Sequence, residues 1–428
     1  MILIYKLFTS LFYPIFILLI FFRKLLKKEH KERYKEKIFK SYFHPQRKNG
    51  KRLIWFHASS VGELKSILPI IKEINKRNKK LEFLITTVTL SSGNLAKAEI
   101  KNYNNIYHRF FPLDLTFLVD SFLDSWSPDS VFFSDSEIWP NFILQIKKRE
   151  IPLATLNARI TKKTFKRWML FPKTAKEIFN KFDLCLTANL ETKKYLLELG
   201  AQNIIFNGNL KFINITKKKN IGKNKNFLSK NRFWIAASTH PGEEKLCLET
   251  HKILKKKFSD IVTIIIPRHT FRSRNIKKIC ENLELRAKIH QHGDKMTKEN
   301  EIFIINHYGS LDQYFCHAKS VFMGKSMLKS LEEVGGQNPI DPARLGCKIY
   351  HGKYIYNFKE TYEFLKKKNI SRSISNIDQL AKHLTIDLNN IRKGQNNYFS
   401  IVNKLGNKTL NGAMKNINKF LFNESNKA

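Results

Sequence analysis

LIWFHASSVGELKS, Leu53–Ser66, joins an apolar run rich in aromatic and branched residues to a short polar turn, and the turn to a segment of helical period. An apolar strand that turns directly into a helix is one βα unit. Such units repeated along a chain build a parallel sheet covered by helices. The pattern recurs. Strands are expected at Phe83–Val88, Val131–Ser134, Leu153–Asn157, Leu184–Ala188 and Ile204–Asn207, with helical stretches at Leu64–Asn78, Leu115–Trp126 and Phe142–Arg149 between them. A Lys/Asn-rich stretch without period, Ile213–Lys230, then reads as a linker. The alternation restarts at Phe233–Ala237, Val262–Ile266, Leu285–Ile289, Ile302–Asn306, Ser320–Met323 and Lys348–Tyr350. The fold class expected is α/β, with two doubly wound halves facing a cleft.

The N-terminus has a different character. Leu7–Phe22 holds no charge, and Arg23, Lys24, Lys27, Lys28, Lys31 and Arg33 follow it without a small-residue cleavage site. This reads as an uncleaved membrane anchor, spanning or interfacial, with the rest of the chain on the cytoplasmic face of the inner (cell) membrane. The expected organisation is an anchor over 1–24, a first domain over 25–212, a linker over 213–230, a second domain over 231–410 and a frayed tail over 411–428.

The 428 residues carry 77 Lys and Arg against 36 Asp and Glu, a formal charge of +41 that favours anionic partners. The lysine runs are short and dispersed over both halves, and no nucleic-acid module is recognisable, so nucleic acid is not an expected partner. Five scattered cysteines without a C-x-x-C pair exclude a disulfide framework and a finger-type zinc site.

Ligands of open α/β sheets bind beyond the carboxyl ends of the strands, so the polar residues there matter most. The first half places Glu63, Asp135, Glu137, Asn157, Arg159 and Lys211 at such positions. The second places Ser238–His240, Pro267–His269 and Tyr308–Ser310 there, and Gly335–Pro342 forms a tight turn into a helix start. Carboxylates gather on the first half, and hydroxyls, Arg268 and glycines on the second, which suits a transferase with an anionic donor. Glu63 alone has two readings, since a carboxylate in the first helical turn also suits the helix dipole. Asp135 and Glu137 lie two apart, and one of them is expected to be structural.

The segments FHASSVGE (Phe56–Glu63), FPLDL (Phe111–Leu115), SEIWPN (Ser136–Asn141), NARIT (Asn157–Thr161), GNLKF (Gly208–Phe212), ASTHPGEE (Ala237–Glu244), IPRH (Ile266–His269), GGQNPIDPA (Gly335–Ala343) and YNFKE (Tyr356–Glu360) occur in this order. Together they resemble the 3-deoxy-D-manno-octulosonic acid (Kdo) transferases of lipid A biosynthesis. The resemblance implies two Rossmann-like domains of the GT-B architecture and an inverting transfer from CMP-Kdo to lipid IVA, a bis-phosphorylated lipid, without cofactor or metal. It implies Glu63 as general base. Asp135 stands where the family has a glutamate that assists the transition state, and Lys211 matches that residue's partner. Because Asp135 is one methylene shorter, Glu137 joins the catalytic candidates. For the donor it implies Pro267 and Arg268, Tyr308, Gly309 and Ser310, and Asn338, Pro339, Ile340 and Asp341. Asp341 replaces a glutamate, Gln337 a histidine, and Lys325 a residue that is usually glycine.

Overall fold

The computed structural model describes residues 1–44, 51–213, 222–307, 311–390 and 397–422. The chain divides into two compact units, Met1–Asn214 with Leu405–Ala428, and Ile215–Lys404.

The first unit holds a seven-stranded sheet of β1 (Leu53–His57), β2 (Glu82–Thr87), β3 (Ile106–Phe110), β4 (Ser130–Ser134), β5 (Leu153–Ala158), β6 (Leu184–Thr187) and β7 (Ile204–Phe206). All pairings are parallel, in the order β3-β2-β1-β4-β5-β6-β7. Side chains alternate across a strand, and here both faces are covered. Leu53 and Trp55 enter one core with Phe122, Trp126 and Phe142, while Ile54 and Phe56 enter the other with Ile67, Ile71 and Phe132. That two-sided burial explains why the strand reads as a continuous apolar run.

The second unit repeats the plan with β8 (Phe233–Thr239), β9 (Val262–Pro267), β10 (Ala287–His290), β11 (Ile302–Ile305), β12 (Ser320–Met323), β13 (Lys348–His351) and β14 (Ser371–Ser373). Their order is β10-β11-β9-β8-β12-β13-β14, again all parallel. The doubly wound α/β class is therefore present twice. Two strands went unread in the sequence, β3 and β14. Neither is a continuous apolar run: β3 is IYHRF, interrupted by His108 and Arg109, at one edge of its sheet, and β14 is SRS at one edge of the other.

The chain departs from the expected organisation at both ends and in the linker. Residues 411–428 are not a frayed tail as far as they are described, because one helix runs Tyr398–Phe422. Its Ala413, Met414, Ile417 and Leu421 are buried in the core of the first unit, and Phe420 packs edge-on to Phe132 at 5.2 Å. The sequence showed the helical period but not the surface it covers. In the linker, Lys225–Lys230 is a short helix that buries Leu228, and residues 214–221 lie outside the described residues.

The expected anchor is two helices, Ile2–Leu11 and Tyr13–Leu25, bent by 57°. Pro14 sits in the first turn of the second helix, where its missing N–H does no harm, and it disfavours continuation through Phe12 and Tyr13. Among the described residues no single helix is long and apolar enough to cross a membrane, although the bent pair passes that test together. Tyr5 and Tyr13 tie the pair to the first unit, by hydrogen bonds to the Asp114 carboxylate (2.8 Å) and the Ile38 carbonyl (2.6 Å).

Candidate active site

In the first unit β1 and β4 are neighbours, and the chain leaves β1 toward β2 on one side and reaches β4 on the other. That is the switch point where a doubly wound sheet opens a crevice at its carboxyl edge. Glu63 follows β1, while Asp135 and Glu137 follow β4.

Glu63 lies in the first turn of the helix Val61–Arg77, capped by Ser60. Its carboxylate accepts from the Ser59 amide (2.7 Å) and from the hydroxyls of Ser59 (3.0 and 3.1 Å), Ser60 (2.9 Å) and Ser134 (3.4 Å). The serines therefore fix the carboxylate, as a capping reading requires. Burial, and then the charges of Asp135 and Glu137, push its carboxyl above the ordinary range, against the lowering effect of the Ser60 and Ser59 hydrogen bonds. The helix start therefore does not leave Glu63 a weakened base.

Glu137 takes the opposite course. Burial works to raise it, but hydrogen bonds from His57, Trp139 and Ser59 outweigh burial and hold it below the ordinary range. The contacts are His57 Nε2 at 3.1 Å and Trp139 Nε1 at 2.8 Å, both on Oε2. Behind His57 stands Thr86, whose hydroxyl meets His57 Nδ1 and Trp55 Nε1, each at 2.9 Å. The imidazole is thus held at both nitrogens, Nδ1 by Thr86 and Nε2 by Glu137. His57 is fully buried and stacked on Phe111 at 3.8 Å. Two carboxylates with environments that drive their pKa values apart are the usual mark of divided acid–base roles.

Asp135 bonds elsewhere. Its backbone is left-handed, with φ 50°, a conformation that aspartate tolerates better than most residues. Its carboxylate accepts from Lys211 Nζ at 3.1 Å and from the Asn157 amide. The shorter side chain therefore does reach its lysine. Asn157, at φ 55° and buried, also accepts the Leu210 N–H at 2.8 Å, so one side chain links the end of β4 to the loop that carries Lys211. Sequence reading placed Asn157 at a strand end but gave it no role. The signal was its neighbourhood to Asp135, visible only once β4 and β5 are paired.

The second unit is described separately. β8 and β12 are its switch-point neighbours, and Glu243, fully buried, closes the loops between them. Its carboxylate accepts the N–H groups of His240 (2.9 Å), Lys325 (2.7 Å), Ser326 (2.8 Å) and Met327 (3.1 Å). Sequence reading missed this residue as well. Lys325 sits at φ 60°, which explains why glycine suits that position.

Pro267 ends β9, and Arg268 after it is exposed, with its N–H on the Thr239 carbonyl at 3.1 Å. Tyr308, Gly309 and Ser310 lie outside the described residues. Gly336, at φ 90°, shapes the turn before Asn338, whose side-chain Oδ1 accepts the Ile340 N–H at 3.1 Å. Pro339 precedes the short helix Ile340–Arg344, in which Ile340 is buried and Asp341 faces Arg344 at 3.8 Å. Among the candidates, Glu63, Asp135, Glu137 and Lys211 are thus brought together in one unit. Arg268 and Asn338–Asp341 lie in the other.

Residues 32–214 match the family model of 3-deoxy-D-manno-octulosonic-acid transferase (kdotransferase). The chain is 30 % identical over 388 residues to a probable mitochondrial 3-deoxy-D-manno-octulosonic acid transferase of Arabidopsis thaliana, covering 86 % of this chain and 83 % of that protein. A 3-deoxy-D-manno-octulosonic acid transferase of Rickettsia felis is 30 % identical over 336 residues, covering 78 % and 71 %. Among solved structures, a putative UDP-N-acetylglucosamine 2-epimerase from Listeria monocytogenes shares the fold, with a TM-score of 0.59 at 13 % identity over 86 % of this chain and 96 % of that one.

Proposed function

The chain belongs to the 3-deoxy-D-manno-octulosonic acid transferase family and is a glycosyltransferase, and from that premise we propose that it moves Kdo from CMP-Kdo to lipid IVA with Glu63 as general base. In this reaction a hydroxyl of the acceptor sugar attacks the anomeric carbon of Kdo, the bond from that carbon to the CMP phosphate breaks, and Glu63 takes the hydroxyl proton. One direct displacement inverts the centre and needs no covalent glycosyl intermediate.

The observation that carries the reading is the split between the two glutamates. Glu63 is held by serines and pushed upward, toward the range where a carboxylate is an effective base. Glu137 stays anionic in the grip of His57 and Trp139 and supplies part of that push. Lys211, oriented by Asp135 and Asn157, offers positive charge for the oxygen charge that develops as CMP departs. On the donor side, the exposed Arg268 guanidinium and the turn at Asn338–Asp341 fit a nucleoside monophosphate, and Tyr308–Ser310 belongs to the same set by resemblance.

The acceptor is a lipid, and the N-terminal helices suit a membrane. Leu3, Ile4, Leu7, Leu11, Leu18 and Phe22 are all exposed, and basic residues follow at once. We place the helical pair in the cytoplasmic face of the inner membrane, in contact with anionic headgroups. Incubating the purified chain with lipid IVA and CMP-Kdo generated in situ tests the whole reaction. A mass gain of one or more Kdo units on the acceptor is expected, and an unmodified acceptor would overturn both the donor and the acceptor assignment.

A further inference from the structure

A cavity of about 350 Å³ opens at β3, on the free edge of the first sheet, beside the helix Leu90–Ile100 and the segment that follows the N-terminal helices. It gathers His30, Arg33, Lys97, His108, Arg109 and the ring of Phe110, and no carboxylate is among the described residues that line it.

Part of this cluster has a structural duty. Arg33 grips the Glu36 carboxylate at 2.6 and 3.0 Å and the His108 carbonyl at 3.0 Å, and Glu36 in turn accepts the Phe110 N–H at 2.8 Å. This clamp fastens Arg33–Lys37 to the sheet edge and occupies the nearby carboxylate. Arg109 and Lys97 have no such duty. The Arg109 guanidinium donates to the His108 carbonyl at 3.0 Å and lies over Trp126 at 5.3 Å, and no ion pair is formed by Arg109 or Lys97 among the described residues. Burial, followed by the charges of Arg33 and Arg109, holds the His108 imidazole down to about 3. The ring is therefore neutral. Arg33, a pure donor, bonds its Nδ1 at 3.1 Å, which leaves Nε2–H for Thr87 at 2.9 Å. With Arg33 matched by Glu36, the Arg109 guanidinium and the Lys97 ammonium remain as the cations of this space that form no ion pair among the described residues, and a bound anion gains most where such charges are partly buried.

We propose that this cavity binds a phosphate group, with Arg109 and Lys97 as its ligands and the Arg33–Glu36 pair as a fixed wall beside them. The planar guanidinium of Arg109 matches phosphate oxygens, and the volume leaves room for the alcohol esterified to the phosphate. His30 and Arg33 follow closely on the exposed apolar helix Tyr13–Leu25, so the phosphate can come from a bilayer headgroup or from solution. The inference does not depend on the transfer reaction proposed above.

The test uses the full chain in detergent, titrated calorimetrically with inorganic phosphate, and flotation with vesicles of phosphatidylglycerol and phosphatidylcholine. R109Q/K97Q is compared with K252Q/K256Q, which makes the same charge change on exposed lysines of the second unit. Phosphate affinity is expected to fall about tenfold or more in R109Q/K97Q and to stay unchanged in K252Q/K256Q. A matching loss of flotation by R109Q/K97Q alone identifies a headgroup as the source, and flotation equal to that of K252Q/K256Q identifies a soluble phosphate. If R109Q/K97Q does not fold, K97Q alone must weaken phosphate or vesicle binding relative to K252Q. No phosphate binding with unchanged flotation, or equal losses in both variants, would overturn the proposal.

Discussion

Glu63 combines a stabilising position with an unfavourable charge. A carboxyl whose folded pKa lies above its unfolded value favours the fold when protonated and loses that advantage as pH rises through the folded value. As pH rises through that value, Glu63 therefore contributes progressively less to stability. E63Q keeps an acceptor oxygen for the Ser59 N–H and turns its amide N–H toward the Ser60 hydroxyl, without the charge, so its Tm should equal or exceed that of the native chain while turnover falls about 10²- to 10⁴-fold. Turnover close to native would remove Glu63 from the base role. Glu137 is separable by pH. As the proposed base, Glu63 has to be ionised, so activity should decline as pH falls through its raised value. E137Q removes one of the charges responsible, and the acid limb of kcat/KM should move to lower pH. A limb that stays in place would show that Glu137 does not tune Glu63. Much of this was legible: Ser60, Gly62 and Glu63 form a local helix start that the sequence displays. The link Asp135–Asn157–Lys211 was not, because it depends on two strand ends becoming neighbours.

Among the secondary-structure elements, the strands buried on both faces were readable because hydrophobic burial removes their alternation. β3 was not, since an edge strand keeps its polar residues, and those residues line the cavity proposed to hold phosphate. The helix Tyr398–Phe422 was half readable, in its period but not in its docking site. That docking relies on close backbone approach. A Cβ on Gly406 would run into the carbonyl oxygen of Phe212, whereas on Gly412 it would meet the Asn207 side chain at 2.8 Å. G406A should therefore destabilise by roughly 1–3 kcal/mol in denaturant unfolding, and G412A by less, because a side chain yields more easily than backbone. Equal and negligible effects would show that the helix is not pressed against Phe212.

Over the whole molecule, the +41 charge and the exposed apolar helices favour the same kind of surface, anionic and lipidic. Removing residues 1–22 should reduce retention on anionic vesicles and leave turnover on detergent-dispersed acceptor. A folded but inactive truncation would give Tyr5 a further part. Its partner Asp114 also accepts the N–H groups of Asn141 and Phe142, at the start of the helix that follows Trp139. The two-unit plan was legible as a pause in the βα alternation, but the return of the chain to the first unit was not. That return sets an order of assembly. The second unit is one continuous stretch, whereas the helix that completes the first is translated after it. On the ribosome, the helices Ile2–Leu11 and Tyr13–Leu25 emerge before either sheet, and the surface around Phe132 waits uncovered until the second unit has been made. The strands that carry the carboxylates of the first unit therefore gain their finished cover last, long after the exposed apolar helices have been made.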